Sequence, residues 1–283
     1  MDRELLLGAM ILLVCGPLIS LGGVLSRRQV RTPARTQTER LSWLRLWLPL
    51  MPAATLFALL LGWFSQEPDP ADELLQPHVL AAMLPFGLIW LRAAVRAVSS
   101  LTNDNSGTPA ATVGLWKPRI VLSPDLMSRL DEHARAAVLE HERAHARHRD
   151  PLRIWSAQIA TDLQWPMSAA RRRFQAWRTA LEIRRDAEAC GRGVDGADLA
   201  HALIVASRMH RPTRHSAAAP LVGEGSMLGE RIACLLGHGA VGDSNPPLLR
   251  VVPVAAALLL LAATILGFAF GDNLVLFLPG ITR

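Results

Sequence analysis

Residues 138–150 read Val-Leu-Glu-His-Glu-Arg-Ala-His-Ala-Arg-His-Arg-Asp and contain the pattern His141-Glu142-x-x-His145. On a helix, residues four positions apart lie on one face, so the imidazoles of His141 and His145 can bind one zinc ion. Glu142 lies about 100° further round the helix and can reach a water molecule held by that ion. The pattern therefore predicts a zinc site in which Glu142 is the general base of a hydrolytic reaction.

The helix around this pattern is expected to run from about residue 134 to about residue 148. At about 100° per residue, both histidines lie on the same side as the apolar residues Ala134, Ala137, Val138 and Ala144. The alternative is a surface helix rich in histidine and arginine, but an imidazole without a partner would be costly on a buried face. His148 also points to this face, but it lies about 10 Å along the axis from His141 and is too far away to share the ion.

A zinc peptidase needs a third protein ligand and one open coordination position. A second helix, expected over about residues 174–190, carries Glu182 and Asp186 four positions apart. Glu182 can bind the ion, while Asp186 can accept the N–H of a ligand histidine and so fix its tautomer. The spacing alone leaves an alternative open, in which both acids pair with arginines of the same helix: Arg178, Arg184 and Arg185.

Two short strands are expected before the metal-binding pattern, over Ala110–Val113 and Arg119–Leu122. The turn between them contains Gly114 and Pro118, residue types that favour a reversal of the chain. A peptidase can hold its substrate as an added strand on the edge of such a sheet. An ordinary structural hairpin is an equally good interpretation, so the sequence leaves the role of these strands open.

The composition favours a membrane protein over a wholly soluble one. Of the 283 residues, 51% are hydrophobic, and the mean hydropathy is +0.24. The net charge of +6 comes almost entirely from arginines, which flank apolar blocks rather than form a surface suited to nucleic acid. No Cys-x-x-Cys spacing occurs, so we expect neither a disulfide framework nor a metal site from Cys15, Cys190 and Cys234.

Four uncharged apolar blocks are each close to the length of about 20 residues that crosses a bilayer. They cover residues 5–25, 46–64, 74–91 and 251–270. The third can extend to about residue 95 if the Arg92 side chain reaches the interface. A cleaved signal peptide is the alternative for the first block, but basic residues follow that block rather than precede it.

The distribution of arginine sets the expected orientation of these blocks. The connection between the first two blocks contains six arginines and the next connection contains none, and short arginine-rich loops stay in the cytoplasm. Both termini are therefore expected outside. The expected fold is a mostly α-helical membrane protein with three transmembrane helices in residues 1–98, a cytoplasmic α+β metallopeptidase domain of the zincin type in residues 99–249, and a fourth transmembrane helix in residues 250–283.

Four separate motifs occur along the chain in a fixed order. They are Gly114-Leu-Trp-Lys-Pro-Arg-Ile-Val-Leu-Ser-Pro, the stretch 138–150, Trp165-Pro166 and residues 182–190. With three apolar blocks before the motifs and one after them, the chain resembles the BlaR/MecR-type family of membrane zinc metallopeptidases, the cytoplasmic half of beta-lactam sensor-transducers. The resemblance implies Zn²⁺ as the cofactor and Glu142 as the catalytic base. It also implies three metal ligands: His141, His145 and Glu182.

The chain departs from that family in two places. Arg143 stands where a leucine commonly follows the catalytic glutamate, and the helical geometry directs Arg143 towards solvent. Only 13 residues follow Phe270, so we expect the large external penicillin-binding sensor domain of the family to be lacking.

The resemblance favours an endopeptidase in the bacterial cytoplasmic membrane that cleaves a cytoplasmic protein of the transcriptional-repressor type in regulatory signalling. Its expected partners are that substrate, the bilayer and a membrane protein that supplies the signal, with no direct contact to nucleic acid. One alternative is an HtpX-like quality-control protease, which shares the two metal-binding patterns. The other is a non-enzymatic membrane scaffold, which the intact set of catalytic residue types disfavours.

Overall fold

A computed structural model of the chain describes residues 39–65, 77–102, 108–209, 219–220, 225–237 and 248–276. The helices in these residues are α1 (Glu39–Trp47), α2 (Met51–Phe64), α3 (Pro77–Thr102), α4 (Pro124–Arg129), α5 (Glu132–Arg147), α6 (Asp150–Leu163), α7 (Ser168–Gly191), α8 (Gly196–Met209), α9 (Gly225–Leu235) and α10 (Leu248–Leu276). The strands are β1 (Ala110–Val113), β2 (Arg119–Leu122) and β3 (Ala219–Pro220). The mostly α-helical character predicted from the sequence is confirmed.

Helix α5 carries the metal-binding pattern. It begins at an Asp131 cap, because the Asp131 carboxylate accepts a hydrogen bond from the Ala134 amide at 2.8 Å. Its buried residues are mostly small, which lets β1 and α7 pack closely against it: Ala134, Ala137, Val138, His141, Glu142, Ala144 and His145. The predicted amphipathic helix with both histidines on its buried side is confirmed.

The strands form one three-stranded antiparallel sheet in the order β2-β1-β3. β1 pairs with β2 from Ala110 opposite Leu122 to Val113 opposite Arg119. Gly114 ends β1 with a φ of 94°, a left-handed conformation that glycine adopts without steric strain. Both predicted strands are confirmed at their predicted bounds, whereas β3 was not predicted.

The two larger of the three apolar clusters among the described residues hold these helices together. The first joins β1, α4, α5 and α8 and includes Ala110, Leu126, Leu130, Val138 and Leu203. The second joins α1, α6 and α7 and includes Leu46, Ile154, Trp177 and Leu181. Full burial of one side chain of this size contributes about 1.5–3 kcal/mol to the free energy of unfolding, so both clusters stabilise the surroundings of the α5 pattern.

Helix α1 belongs to the second of these clusters. The ring centroids of Trp43 and Trp177 are 4.9 Å apart, and the Gln164 side-chain amide donates a hydrogen bond to the Leu46 carbonyl at 3.1 Å. The apolar run that predicted a membrane span from residue 46 therefore begins inside a helix that packs against α6 and α7.

Helix α3 also joins the folded domain in its second half. Arg92 Nη1 and Arg96 Nε lie 3.2 and 2.9 Å from the carboxylate of Asp162 on α6. The Trp155 indole donates a hydrogen bond to the Ala97 carbonyl at 3.0 Å. These contacts place residues from Arg92 onwards against α6.

Two segments of the described residues are long and apolar enough to cross a membrane, by length and composition: Glu39–Leu59 and Val252–Ala269. α2 and α10 pack against each other, so closely that a Cβ on Gly62 would lie 2.0 Å from the Thr264 carbonyl oxygen. The predicted first span, residues 5–25, lies outside the described residues. The predicted third span, residues 74–95, overlaps α3, which is not one of the two segments. The arrangement of four transmembrane helices therefore stays a prediction.

Candidate metal centre

Three buried side chains from α5 and α7 converge on one point. The Nε2 atoms of His141 and His145 are 3.1 Å apart, and Glu182 Oε2 lies 3.6 Å from the first and 3.4 Å from the second. Ligand atoms about 2.1 Å from a tetrahedral zinc ion lie about 3.4 Å from one another. The three atoms are therefore spaced like three of four tetrahedral ligands, and the group could hold a metal ion.

The oxygens of the Glu182 carboxylate are also available to bind a metal cation. Neither of its oxygens takes part in a hydrogen bond, although its side chain is only 2% exposed, and Arg231 Nη1 approaches Oε2 only to 3.4 Å. A buried carboxylate is costly unless it is paired, hydrogen-bonded or bound to a metal. Two imidazole nitrogens, one carboxylate and one open position are also the donor set of catalytic zinc sites.

His145 is held by a buried carboxylate on the side away from Glu182. Its Nδ1 lies 2.8 Å from Asp150 Oδ2, so the Nδ1–H can donate to Asp150 and leave the Nε2 lone pair for an ion. Arg185 donates to the same carboxylate, from Nε to Oδ2 at 2.5 Å and from Nη2 to Oδ1 at 3.0 Å. Burial would raise the pKa of Asp150, but the contacts with His145 and Arg185 hold it well below its ordinary value.

A sharp turn between α5 and α6 places Asp150 beside His145. Arg149 adopts a left-handed conformation with φ 51° and ψ 44°, which an L-residue other than glycine adopts at some cost. Pro151 then occupies the first turn of α6, where its missing amide hydrogen would have had no partner. The chain therefore turns at once, and a residue only five positions after His145 returns to its ring.

His141 lies against a similar pair of aspartate and arginine from two other helices, although its Nδ1 makes no hydrogen bond. Its Nδ1 lies 2.9 Å from Asp186 Oδ1. Arg231, on α9, donates to Asp186 from Nε at 2.8 Å and from Nη2 at 2.7 Å. Burial would raise the pKa of Asp186, but Arg231 and His141 hold it below its ordinary value. Arg231 Nη1 also lies 3.4 Å from Glu182 Oε2, so one buried guanidinium contacts two carboxylates of the centre.

Glu142 is fully buried next to this group. Its Oε2 accepts a hydrogen bond from the Thr112 hydroxyl on β1 at 2.7 Å, and its Oε1 has no hydrogen-bond partner. Burial raises the pKa of Glu142, and the contacts with the two histidines and Thr112 only partly oppose this. One carboxylate oxygen is thus fixed in place while the other is left to accept a proton.

The net buried charge of the centre is negative and of the size that one divalent cation would balance. With neutral histidines, the buried carboxylates outnumber the buried guanidiniums by two; the carboxylates are Glu142, Asp150, Glu182 and Asp186, and the guanidiniums are Arg185 and Arg231. In the metal-free protein, the same carboxylates favour protonation of the histidines. Burial lowers the pKa of His145, but Glu182 and Asp150 outweigh burial and raise it to about 10. Burial likewise opposes protonation of His141, but Asp186 and Glu182 raise its pKa.

The structure brings together the predicted ligands His141, His145 and Glu182, with the predicted base Glu142 beside them and the predicted support Asp186 on His141. Their roles in binding a metal and in catalysis stay predictions. His148 lies outside this group, as predicted from its distance along the helix. Its side chain is 47% exposed and its Nε2 lies 2.9 Å from Glu188.

The pairing of acids and arginines within α7 differs from the alternative left open by the sequence. Arg185 contacts Asp150 and Glu188 rather than Glu182 or Asp186. Asp186 pairs with Arg231, and Glu182 comes within 4.0 Å of Arg178 through one oxygen only. The acids of α7 therefore face the histidines instead of forming a solvated face.

Sequence reasoning missed the role of four residues: Thr112, Asp150, Arg185 and Arg231. A signal existed for Asp150, which lies within the stretch 138–150 just before a proline, a position where a carboxylate often begins a helix. For Arg231 no local signal exists, because its partner Asp186 lies on another helix 45 positions away.

Comparison with known families adds one finding. A family model described as BlaR1 peptidase M56 matches residues 92–235, about half of the chain. No curated protein and no solved structure matches the chain. The matched range contains every residue of the centre described above, whereas α1, α2 and α10 lie outside it.

Proposed function

This chain belongs to the BlaR1 peptidase M56 family, and from that premise we propose that it is a membrane-anchored zinc endopeptidase. The family implies a membrane-associated metallopeptidase. The observation that carries the proposal of zinc is the tetrahedral spacing of two imidazole nitrogens and one carboxylate oxygen that has no hydrogen bond. The proposed ligands are His141, His145 and Glu182.

The ligand histidines would act in a fixed orientation. Zinc, when bound here, supplies a Lewis acid that polarises the scissile carbonyl and lowers the pKa of a water molecule. Asp150 and Asp186 keep the two imidazoles directed at one point, since Asp150 accepts the Nδ1–H of His145, Asp186 lies 2.9 Å from Nδ1 of His141, and each carboxylate is held by a buried arginine. The ligands therefore need little rearrangement during the reaction.

Glu142 would transfer the protons in this reaction. Its Oε1, which has no hydrogen-bond partner, accepts a proton from the attacking water and later delivers it to the leaving amine nitrogen. The hydrogen bond from Thr112 to Oε2 limits rotation of the carboxylate. Burial raises the pKa of Glu142, which favours its acceptance of a proton.

We also propose that the catalytic domain faces the cytoplasm and that its substrate is a cytoplasmic protein of the repressor type. Support for the orientation comes from the arginine-rich first connection. The apolar segment Val252–Ala269 supports a membrane anchor, and so does the part of Glu39–Leu59 that follows α1, since α1 itself packs on the catalytic domain. The contact between α2 and α10 is consistent with neighbouring spans. Support for a regulatory substrate is the resemblance to sensor-transducers.

The decisive variant is Glu142→Gln in the full-length protein purified in detergent. We expect zinc binding to be retained, because the ligands are unchanged, and cleavage of a model protein substrate to fall about 10²–10⁴-fold, because the base is lost. Glu140→Gln is the matched control, since Glu140 lies on the same helix and pairs with Arg147 and Arg143 away from the centre. Metal analysis and cleavage rates test both; equal activity of Glu142→Gln and wild type contradicts the proposal.

The same variant can identify the substrate class. We expect one or a few cytoplasmic proteins to accumulate in cells that carry Glu142→Gln, as measured by comparison of whole proteomes with the wild type. Accumulation of many misfolded membrane proteins would instead favour quality control.

A further inference from the structure

One side chain outside the range matched by the family lies at the end of a series of contacts that leads to His145. Glu39, on α1, is 6% exposed; its Oε1 contacts Arg153 Nη2 and accepts a hydrogen bond from Trp177 Nε1 at 3.1 Å. Arg153 Nη1 lies 3.2 Å from Asp150 Oδ1, and Asp150 Oδ2 lies 2.8 Å from His145 Nδ1. The series runs from α1 through α6 to α5.

The middle member of this series is held in place by aromatic rings. The Arg153 guanidinium lies 5.2 Å from the ring centroid of Trp43 and 5.9 Å from that of Trp177, distances at which a cation is attracted to the face of a ring. Trp43 is on α1 and Trp177 is on α7, so the same two helices that enclose Glu39 also enclose Arg153.

The charges along the series explain why Glu39 matters. Two guanidiniums, Arg185 and Arg153, approach the single carboxylate of Asp150. Among the described residues, Glu39 is the other anion that contacts Arg153. Without the charge of Glu39, Arg153 would interact more strongly with Asp150, and Asp150 would accept less well from His145. A weaker acceptor behind a ligand histidine makes that histidine a weaker metal ligand.

We propose that Glu39 is a positioning residue of the metal centre, which acts through Arg153 and Asp150 on His145. The inference rests on the proposed function, because it concerns the affinity of that centre for its ion. It assigns a role to α1, although α1 precedes the matched range by more than forty residues. Because only the turn Leu48–Leu50 separates α1 from α2, a ligand of the centre is supported from the segment that leads into an apolar helix.

The test measures metal affinity instead of cleavage. Full-length protein in detergent is stripped of metal and titrated with Co²⁺ against a chelator, and the absorption bands of bound Co²⁺ report the ligand environment. We expect Glu39→Gln to weaken Co²⁺ binding about 3–10-fold, less than loss of a direct support costs, and to shift these bands. The control is Asp125→Asn, which removes an exposed ion pair with Arg129 on α4 and should leave affinity unchanged.

A double-mutant cycle with Arg153→Met tests the route. If Glu39 acts through Arg153, adding Glu39→Gln to Arg153→Met weakens binding no further. Wild-type affinity in Glu39→Gln overturns the inference, and so does full additivity of the two changes. If Glu39→Gln does not fold, Glu39→Asp keeps the charge but withdraws it from Arg153, and it should also weaken binding. Failure of the wild type to bind Co²⁺ or Zn²⁺ would instead overturn the proposed function.

Discussion

The two histidines of the centre are supported by arrangements that are alike in chemistry and different in origin. Each has its Nδ1 beside a buried aspartate that is paired with a buried arginine, although only the His145 contact has the geometry of a hydrogen bond. Asp150 follows His145 by five residues and is contacted by a second arginine, Arg153. Asp186 lies on α7, and its arginine, Arg231, comes from α9. Both supports draw on three helices, but Asp150 and Arg153 follow His145 closely in the chain, whereas Asp186 and Arg231 both lie far from His141.

This difference shows where the centre depends on the tertiary fold. On the His145 side, Arg153 is on the same helix as Asp150, so a cation stays beside this carboxylate even if α7, which carries Arg185, moves. Arg231 is the buried cation that reaches Asp186, and it also contacts Glu182. The support of His141 therefore exists only when α9 is docked against α5 and α7.

The largest expected effect is on the free energy of unfolding when Arg231 or Arg185 is replaced. Arg231→Met leaves two buried carboxylates without their cation, so we expect it to lower the free energy of unfolding by about 3–5 kcal/mol. Arg185→Met should cost about 1–3 kcal/mol, because Arg153 still contacts Asp150. Denaturant unfolding of the metal-free protein in detergent measures both values. Equal losses would show that the second arginine on Asp150 contributes nothing.

The pH dependence of the metal-free protein should give a smaller effect from the same supports. Folding raises the pKa of His145 from an ordinary value of 6.5 to about 10, because Glu182 and Asp150 outweigh burial. A raised pKa contributes stability that is complete below pH 6.5 and is lost as the pH rises through about 10. We therefore expect the Tm of the metal-free protein to fall between these pH values.

Bound metal should remove this dependence, because a ligand histidine carries no extra proton to lose. Thermal unfolding at several pH values, with and without Zn²⁺, separates the two cases. A metal-free Tm that stays constant from pH 6.5 to 10 would mean that His145 is neutral in the fold.

The smallest expected effect on stability comes from Arg149, in the turn between α5 and α6 that brings Asp150 back to His145. Arg149 is exposed and left-handed, and glycine adopts that conformation without the steric cost. Arg149→Gly should change the free energy of unfolding by less than about 1 kcal/mol, in the stabilising direction, because relief of strain outweighs the added freedom of the unfolded chain. Metal affinity should not change, and a marked loss would indicate that the Arg149 side chain has a role of its own.

Much of the centre could be predicted because its residues follow helical periodicity. His141 and His145 are one helical turn apart, as are Glu182 and Asp186. The spacing alone therefore predicts that each pair lies on one face of its helix. The strands β1 and β2 were also readable, since apolar residues flank a turn with glycine and proline. These signals are local and do not depend on contacts with distant segments of the chain.

The remaining features depend on contacts between distant segments. Nothing near Arg231 indicates that it pairs with Asp186, and nothing near Glu39 indicates that it reaches Arg153. The apolar run 46–64 has the composition of a span, and composition cannot show that Leu46 packs beside Ile154 and Trp177. β3 has only two residues, too few for an alternation of apolar and polar side chains to appear.

The contact between Gly62 and Thr264 closes a loop of the chain that contains the whole of the matched range. Closing a loop of roughly two hundred residues removes many conformations from an opened chain, and the entropy removed grows only slowly with loop length. If the domain unfolds locally while α2 and α10 stay paired, its two ends remain side by side and reclosing starts from a restricted ensemble. The helix pair thus acts as a cross-link without cysteines. It depends on glycine at position 62, since any side chain there would force the helices apart.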